Sequence, residues 1–473
     1  MSGLTFKTSG GSSTTLDPSV ANDLKKRIQG EILTADSPGY DKVRAIWNAM
    51  IDRRPALIAR CKTADDVVQC VKFATQHGLL VAVRGGGHNI AGNAVCDGGL
   101  LIDLSLMRAV RVDASKRTAL VEGGALLGEL DQATQAHGLA TPLGINSTTG
   151  VAGLTLGGGF GWLSRKYGLT IDNLVSATVV TAAGDKLTAS ARENSDLFWA
   201  IRGGGGNFGV VTSFEFQLHA IGKEVLSGLI VHPLADAKKV LQFYRDFAVK
   251  APDELAVWFV LRKAPPLPFL PESWHGKEIL ALAACYNGDL EAGAKLLQPL
   301  RAFGQPIADV IGPTPYVGWQ QVLDPLLTPG MRNYWKSHEF LEIPDKMIDV
   351  LVDFAGRLPD PQTEMAFAQL GGAIARVAND ATAYSHREPN FLINVHGRWD
   401  GAANDDKCVG WARDLFTALA PFSTGAVYVN FLTAEEGDRV KMAYGANLAK
   451  LVGIKKKYDP ANLFRMNINI RPS

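Results

Sequence analysis

Short apolar runs alternate with segments of helical period through the first half of the chain. Ala56-Leu57-Ile58-Ala59 predicts a strand, and Thr63-Ala64-Asp65-Asp66 predicts the cap of a helix through about 77. Val67, Val68, Val71 and Phe73 fall on the side of that helix expected to be buried. Apolar runs predict strands at 79–83 and 100–104, the second after a turn at Asp97-Gly98-Gly99. A strand pair follows at 110–113 and 118–122, then a helix at 127–137 and strands at 174–181 and 210–218.

After about 221 the pattern changes. Helical spacing predicts helices over 235–250, 290–303, 345–358 and 408–420. Strand-like runs lie at 225–231, 256–262, 279–286, 365–370, 390–396 and 425–430. The proline-rich stretch 264–271 is incompatible with regular structure and reads as a stiff surface loop between two strands. A final helix is expected over 440–457. This order predicts an α+β chain whose second part has an antiparallel sheet with helices on one face. Residues 1–25 are polar and rich in Ser, Thr and Gly, and are expected to be loosely held.

Composition narrows the class. The 473 residues are 47% hydrophobic and 20% charged, as in a globular protein with a large core. The 48 basic and 47 acidic residues leave no net field to attract nucleic acid or an anionic membrane, so neither is expected as a partner. The N-terminus lacks the basic head and apolar run of a secretory signal, and no stretch approaches the roughly 20 apolar residues of a membrane helix. Five scattered cysteines suit reduced thiols in a cytoplasmic protein, and no His/Cys pair has the spacing of a metal site.

Candidate chemistry lies in three glycine clusters. Arg84-Gly85-Gly86-Gly87-His88-Asn89 follows a strand, where successive backbone N–H groups can form a concave anion site. The second cluster runs from Gly150 to Gly161, and the third is Arg202-Gly203-Gly204-Gly205-Gly206-Asn207-Phe208-Gly209. So much glycine within 85–209 suggests one large cofactor cradled by several loops. None of the clusters reads as the Gly-x-Gly-x-x-Gly of a nicotinamide dinucleotide fold.

These clusters occur in fixed order with Tyr167-Gly168-Leu169-x-x-Asp172-Asn173 and the terminal Lys457-Tyr458-Asp459-Pro460-x-Asn462-x-Phe464. Together they resemble the berberine-bridge-enzyme-like branch of the vanillyl-alcohol-oxidase (PCMH-type) flavoproteins. The resemblance implies a bipartite FAD-binding domain (30–220, completed by 436–473) around a substrate domain (221–435). It implies FAD held by Arg84, Gly85, Gly86, Gly87, Asn89, Thr149, Gly150, Gly153, Gly157, Gly158, Val210 and Asn467, and carried covalently by His88. Many relatives add a second link through a cysteine at the position of Asn146, so attachment here is expected through His88 alone. Thr149 stands where side-chain size influences oxygen access, and its small size favours an oxidase releasing hydrogen peroxide.

The implied reaction is FAD-dependent oxidation of a C–OH or C–N bond in a small organic substrate, with O2 as acceptor. Two alternatives stay open: a dehydrogenase of the same fold with another acceptor, and a flavin- or drug-binding protein without turnover. In many relatives a tyrosine after a strand asparagine is the base; Phe431, after Asn430, holds that position here. Period-two alternation places Asn394, His396 and Arg398 on one strand face, so Asn394 and His396 are candidates, with Gln369 expected in the same cavity. Tyr167 and Tyr428 are further candidates. Substrate identity and the choice between monomer and homodimer stay open.

Overall fold

The computed structural model describes residues 3–472. The predicted β-α-β start is present. Thr63 Oγ1 accepts from Asp66 N–H at the start of the helix Ala64–His77, and Gly78 ends it in the left-handed conformation (φ 60°). The strands Leu57–Arg60 and Val81–Arg84 pair parallel with Leu100–Asp103 between them, and Glu31–Leu33 adds an antiparallel edge. A five-stranded antiparallel sheet follows in the order Lys186–Ser190, Leu174–Val180, Val210–Gln217, Thr118–Glu122, Val110–Asp113.

The third sheet is the predicted antiparallel one. Its order is Ala308–Asp309, Glu224–Pro233, Glu278–Tyr286, Leu255–Lys263, Glu364–Gln369, Phe391–Trp399, Arg332–Phe340, with Gly312–Pro315 also paired to Glu224–Pro233. Alternate residues such as Phe259, Leu282, Phe367 and Ile393 enter a core shared with the helices Ala237–Lys250, Asp345–Ala355 and Asp405–Leu419. The opposite face carries Trp258, Ala281, Ala366 and Asn394 and looks toward the glycine loops. The proline-rich loop does join two neighbouring strands, Leu255–Lys263 and Glu278–Tyr286.

The chain's end explains its terminal motif. Lys455 and Asp459 form a fully buried ion pair (2.6 Å), and Lys455 Nζ also donates to the carbonyls of Asn207 (2.7 Å) and Phe464 (2.9 Å). The Asp459 carboxylate accepts the N–H groups of Leu463 (2.7 Å) and Phe464 (2.8 Å), tying the chain end to the third glycine cluster.

Four expectations are corrected. Residues within 1–25 are ordered: a hairpin of Leu4–Lys7 and Ser13–Leu16 leads into the helix Pro18–Arg27, anchored by fully buried Phe6 against Phe73. Met1 and Ser2 lie outside the described residues. The expected strand 425–430 is irregular and ends in a turn at Val429–Phe431. Asn430 donates to Leu154 O and Gly159 N–H to Tyr428 Oη, contacts that draw the segment to the glycine loops instead of a sheet edge. The predicted helix 440–457 is two helices, Val440–Tyr444 and Leu448–Tyr458, broken where Gly445 takes φ 48°. Finally, Arg332–Phe340 is a strand that the pattern did not announce, because its polar residues are buried against partners distant in sequence.

Candidate functional site

A cavity of about 400 Å³ lies between the glycine loops and the bare face of the third sheet. On the loop side, Gly86 and Gly150 meet backbone to backbone: a Cβ on either would collide with the other's main-chain nitrogen. Gly85, Gly86, Gly87, His88, Asn89, Thr149, Gly150, Gly153, Val210 and Asn467 all line the cavity. Asn467 Nδ2 donates to Gly206 O (3.2 Å) and Phe464 O (2.9 Å), while its Oδ1 is buried without a partner and is available to a ligand donor. A long recess with a glycine-backbone mouth and a spare acceptor fits a dinucleotide such as FAD.

Three expected cofactor contacts lie elsewhere. Arg84 turns away to Asp103 (Nε–Oδ1 3.0 Å, Nη2–Oδ2 2.6 Å) and to the carbonyl of Val43, so it braces the loop from behind. Gly157 and Gly158 are outside the lining; side chains there would strike Asn430, and Tyr384 with Tyr428, so these glycines serve packing.

His88 is held on two sides. Trp47 stacks on it at 5.1 Å between ring centroids. Thr148 Oγ1 lies 3.0 Å from Nε2 and 2.6 Å from Asn146 Oδ1, which also accepts Thr148 N–H (3.0 Å). Because Asn146 Oδ1 is thus an acceptor, the Thr148 hydroxyl proton points to it, and Thr148 oxygen accepts from His88 Nε2–H. That leaves the Nδ1 lone pair unengaged. The ring is enclosed by protein on most sides although it faces the cavity, and this desolvation pushes its pKa down to about 4.

On the sheet side, Asn394, His396, Glu364 and Arg262 line the cavity, as do Tyr428 and Phe431. Arg262 Nη1 pairs with Glu364 Oε2 (2.6 Å), and Glu364 Oε1 is 3.4 Å from His396 Nδ1. Burial would raise the Glu364 carboxyl, but Arg262 and His396 outweigh it and hold the pKa down to about 2. Asn333 Oδ1 accepts from Arg398 (3.2 Å) and faces His396 Nε2 (3.0 Å), so Nε2 carries a proton and Nδ1 turns to Glu364. Burial lowers the His396 pKa against the pull of that carboxylate.

Two catalytic candidates are corrected. Gln369 lies on the helix face of its strand, where Oε1 accepts Val257 N–H (2.8 Å) and Nε2 donates to Ala248 O (2.8 Å). Five residues after Glu364, an odd offset, the period-two alternation puts it on the face opposite Glu364, Ala366 and Ala368. Tyr167 is outside the lining, stacked on His219 at 4.0 Å. Tyr428 reaches the cavity, and its hydroxyl accepts from Gly159 N–H (3.1 Å) and Asn430 Nδ2 (3.0 Å).

Sequence reasoning passed over Trp47, Thr148, Arg262, Glu364 and Asn333. The alternation Glu364-Met365-Ala366-Phe367-Ala368 could have revealed Glu364 on a face of small residues. Trp47 lies in a stretch without periodicity and offers no such signal. Among the described residues no group of His, Cys, Asp and Glu is arranged to hold a metal ion, and no helix is long and apolar enough to cross a membrane.

Comparison with known proteins bears on the class of cofactor. A family described as FAD binding domain matches residues 55–190, and one described as berberine and berberine like matches 427–471. An FAD-linked oxidoreductase of Dictyostelium discoideum is 33% identical over 458 residues, 96% of this chain and 97% of its own. The (R)-6-hydroxynicotine oxidase of Paenarthrobacter nicotinovorans is 32% identical over 459 residues, 94% of this chain and 97% of its own. The crystal structure of 6-hydroxy-D-nicotine oxidase from Arthrobacter nicotinovorans superposes with a TM-score of 0.85, at 29% identity, covering 94% of this chain and 98% of that one.

Proposed function

The chain belongs to the berberine-bridge-enzyme-like family of FAD-linked oxidoreductases, and we propose that it oxidises a C–OH or C–N bond of a small organic molecule within this cavity. The observation that carries the reading is the facing of two surfaces: a glycine cradle with a neutral imidazole, and a sheet bearing a buried His–Glu pair. FAD held there would supply a hydride acceptor for the substrate carbon, with O2 as the final electron acceptor and H2O2 as its product. In this reading 30–220 and 436–473 hold the cofactor and 221–435 holds the substrate.

Gly85, Gly86, Gly87, Asn89, Thr149, Gly150, Gly153, Val210 and Asn467 would hold the cofactor, with His88 as its single covalent tether. Neutral His88 offers the Nδ1 lone pair that such a bond needs, and Thr148 holds the tautomer. Asn146, an amide, has no thiol for a second bond. Across the cavity, Asn394 orients the substrate's polar group. Its departing proton passes to the His396–Glu364 pair, where Nδ1 has the lone pair and the carboxylate stabilises the resulting charge. Phe431 shapes the site and takes no proton.

Acid precipitation of the purified protein tests the cofactor assignment. Yellow colour should stay in the pellet, and anaerobic bleaching by a substrate followed by peroxide release on admitting air should identify the reaction. Protein that cannot be reconstituted with FAD would sink the proposal. Bleaching without peroxide release would instead select the dehydrogenase alternative.

A further inference from the structure

The bare face of the third sheet has an order across its strands that the reaction itself does not require. Cross-strand pairing aligns Asn394 with Ala366, Ala366 with Val260, Val260 with Ala281 and Ala281 with Val231. All five side chains line the cavity. They form one straight row over five adjacent strands, about 19 Å at the usual strand spacing of about 4.8 Å. After Asn394 every member is Ala or Val, so the row is a shallow trough with no hydrogen-bonding side chain.

The row on one side is bulkier throughout and the row on the other alternates large side chains with alanines, and together they make the banks. On one side His396, Glu364, Arg262 and Ile279 are aligned by the same registers. On the other, Trp258 stands beside Ala283, and Ala283 beside Leu229. The charges on the polar bank are spent on each other, Arg262 on Glu364 at 2.6 Å. Leu267, Phe269 and Leu270, from the proline-rich loop, close the end at Val231.

We infer that this trough binds an extended, uncharged apolar tail of the substrate, whose oxidisable C–OH or C–N head lies at Asn394 and His396. A free sugar fits poorly, because its hydroxyls would lose water along a row that offers them no partner. The position of the head rests on the proposed reaction; the trough and its apolar occupant do not.

The test is a binding series with the purified holoprotein and para-alkylphenols from methyl to octyl, followed by quenching of tryptophan fluorescence. Affinity should rise about fourfold per added methylene, as expected for burying each CH2. Ala281→Trp should flatten the series beyond the shortest members, and Ala366→Leu, a milder change, should end the rise earlier. A flat series in the wild-type protein would overturn the trough. So would an unchanged slope in both variants, which would mark the rise as non-specific partition. Because binding is read without turnover, failure of the oxidase proposal shows separately, as a chain-length series in a protein that no substrate bleaches.

Discussion

Trp47 lies nearly flat against His88, with ring centroids 5.1 Å apart and planes inclined by 21°. Its N–H donates to Gly87 O (3.1 Å), and its indole N–H to Leu327 O (3.0 Å) in the segment before the strand Arg332–Phe340. Next to it, the Asn48 side chain donates to Asn333 O (2.9 Å) and accepts Asn333 N–H (3.0 Å). One short segment therefore joins the imidazole on the glycine loop to the asparagine that orients His396.

If Trp47 positions the tether, Trp47→Ala should slow covalent attachment about fivefold, the value of an aromatic pair of about 1 kcal/mol. Trp47→Phe should keep most of the rate. His88→Ala should release all flavin to the supernatant on acid precipitation. Equal attachment in Trp47→Ala and wild type would remove the tryptophan from this role.

Attachment should also depend on pH in a defined direction. With its pKa pushed down to about 4, His88 keeps its lone pair throughout the neutral range and loses it only in acid. The rate on adding FAD to apoprotein should be level above about pH 5 and fall below about pH 4. Thr148→Val, which frees the ring to take either tautomer, should lower the plateau. A rate that instead rises through pH 6–7 would mean an ordinary, solvated histidine.

For the reaction itself, His396→Asn should lower kcat by about 10²–10⁴-fold, the usual contribution of a general base. Glu364→Gln should lower it too, and should destabilise the fold by about 3–5 kcal/mol because Arg262 is left as an unpaired buried charge. Steady-state kinetics and urea unfolding separate these effects. Unaltered kcat in His396→Asn would show that hydride leaves a substrate needing no base.

Asp131 supplies a stability test remote from the reaction. Buried, and with only Gln320 Nε2 donating to it (3.1 Å), its carboxyl is raised to about 7. Between pH 4 and 7 the folded chain keeps a proton that the unfolded chain releases, so stability falls as pH rises through that window. Asp131→Asn should leave Tm unchanged near pH 4 and raise it increasingly up to pH 8. A constant difference in Tm would contradict the raised pKa.

At the chain's end, Asp459→Ala should cost about 3–5 kcal/mol, since Lys455 would stay buried without its partner. The third glycine cluster should loosen with it, because Lys455 also holds Asn207 O. Hydrogen exchange at residues 203–209 would report that loosening. Protection equal to wild type would confine Asp459 to its own turn.

Much of the molecule was legible because some residues have few alternatives. Gly86 and Gly150 must lack Cβ atoms for their loops to touch, and Asp459 needs its lysine to be buried. Such constraints leave marks in sequence, as does the alternation that put Asn394 and His396 on one face. Where a motif served packing, its meaning was not legible. Gly157 and Gly158 look like their neighbours in the cluster, yet they yield space to Asn430 and Tyr384, far away in the chain. Arg84 likewise begins the first glycine cluster while its charge is spent behind it on Asp103.

The sequence by itself determined most of the strands and helices, the α+β class, the clustering of glycines, and an imidazole placed beside the first cluster. These follow from local backbone sterics and from the period of apolar residues, which act over a few positions. Only the tertiary structure decided that Trp47 covers His88, that Glu364 and Asn333 hold His396, and that small side chains on five strands align into a trough. Those relationships join segments with no local period in common, through cross-strand register and the docking of one sheet on several loops, and no short stretch of sequence encodes them.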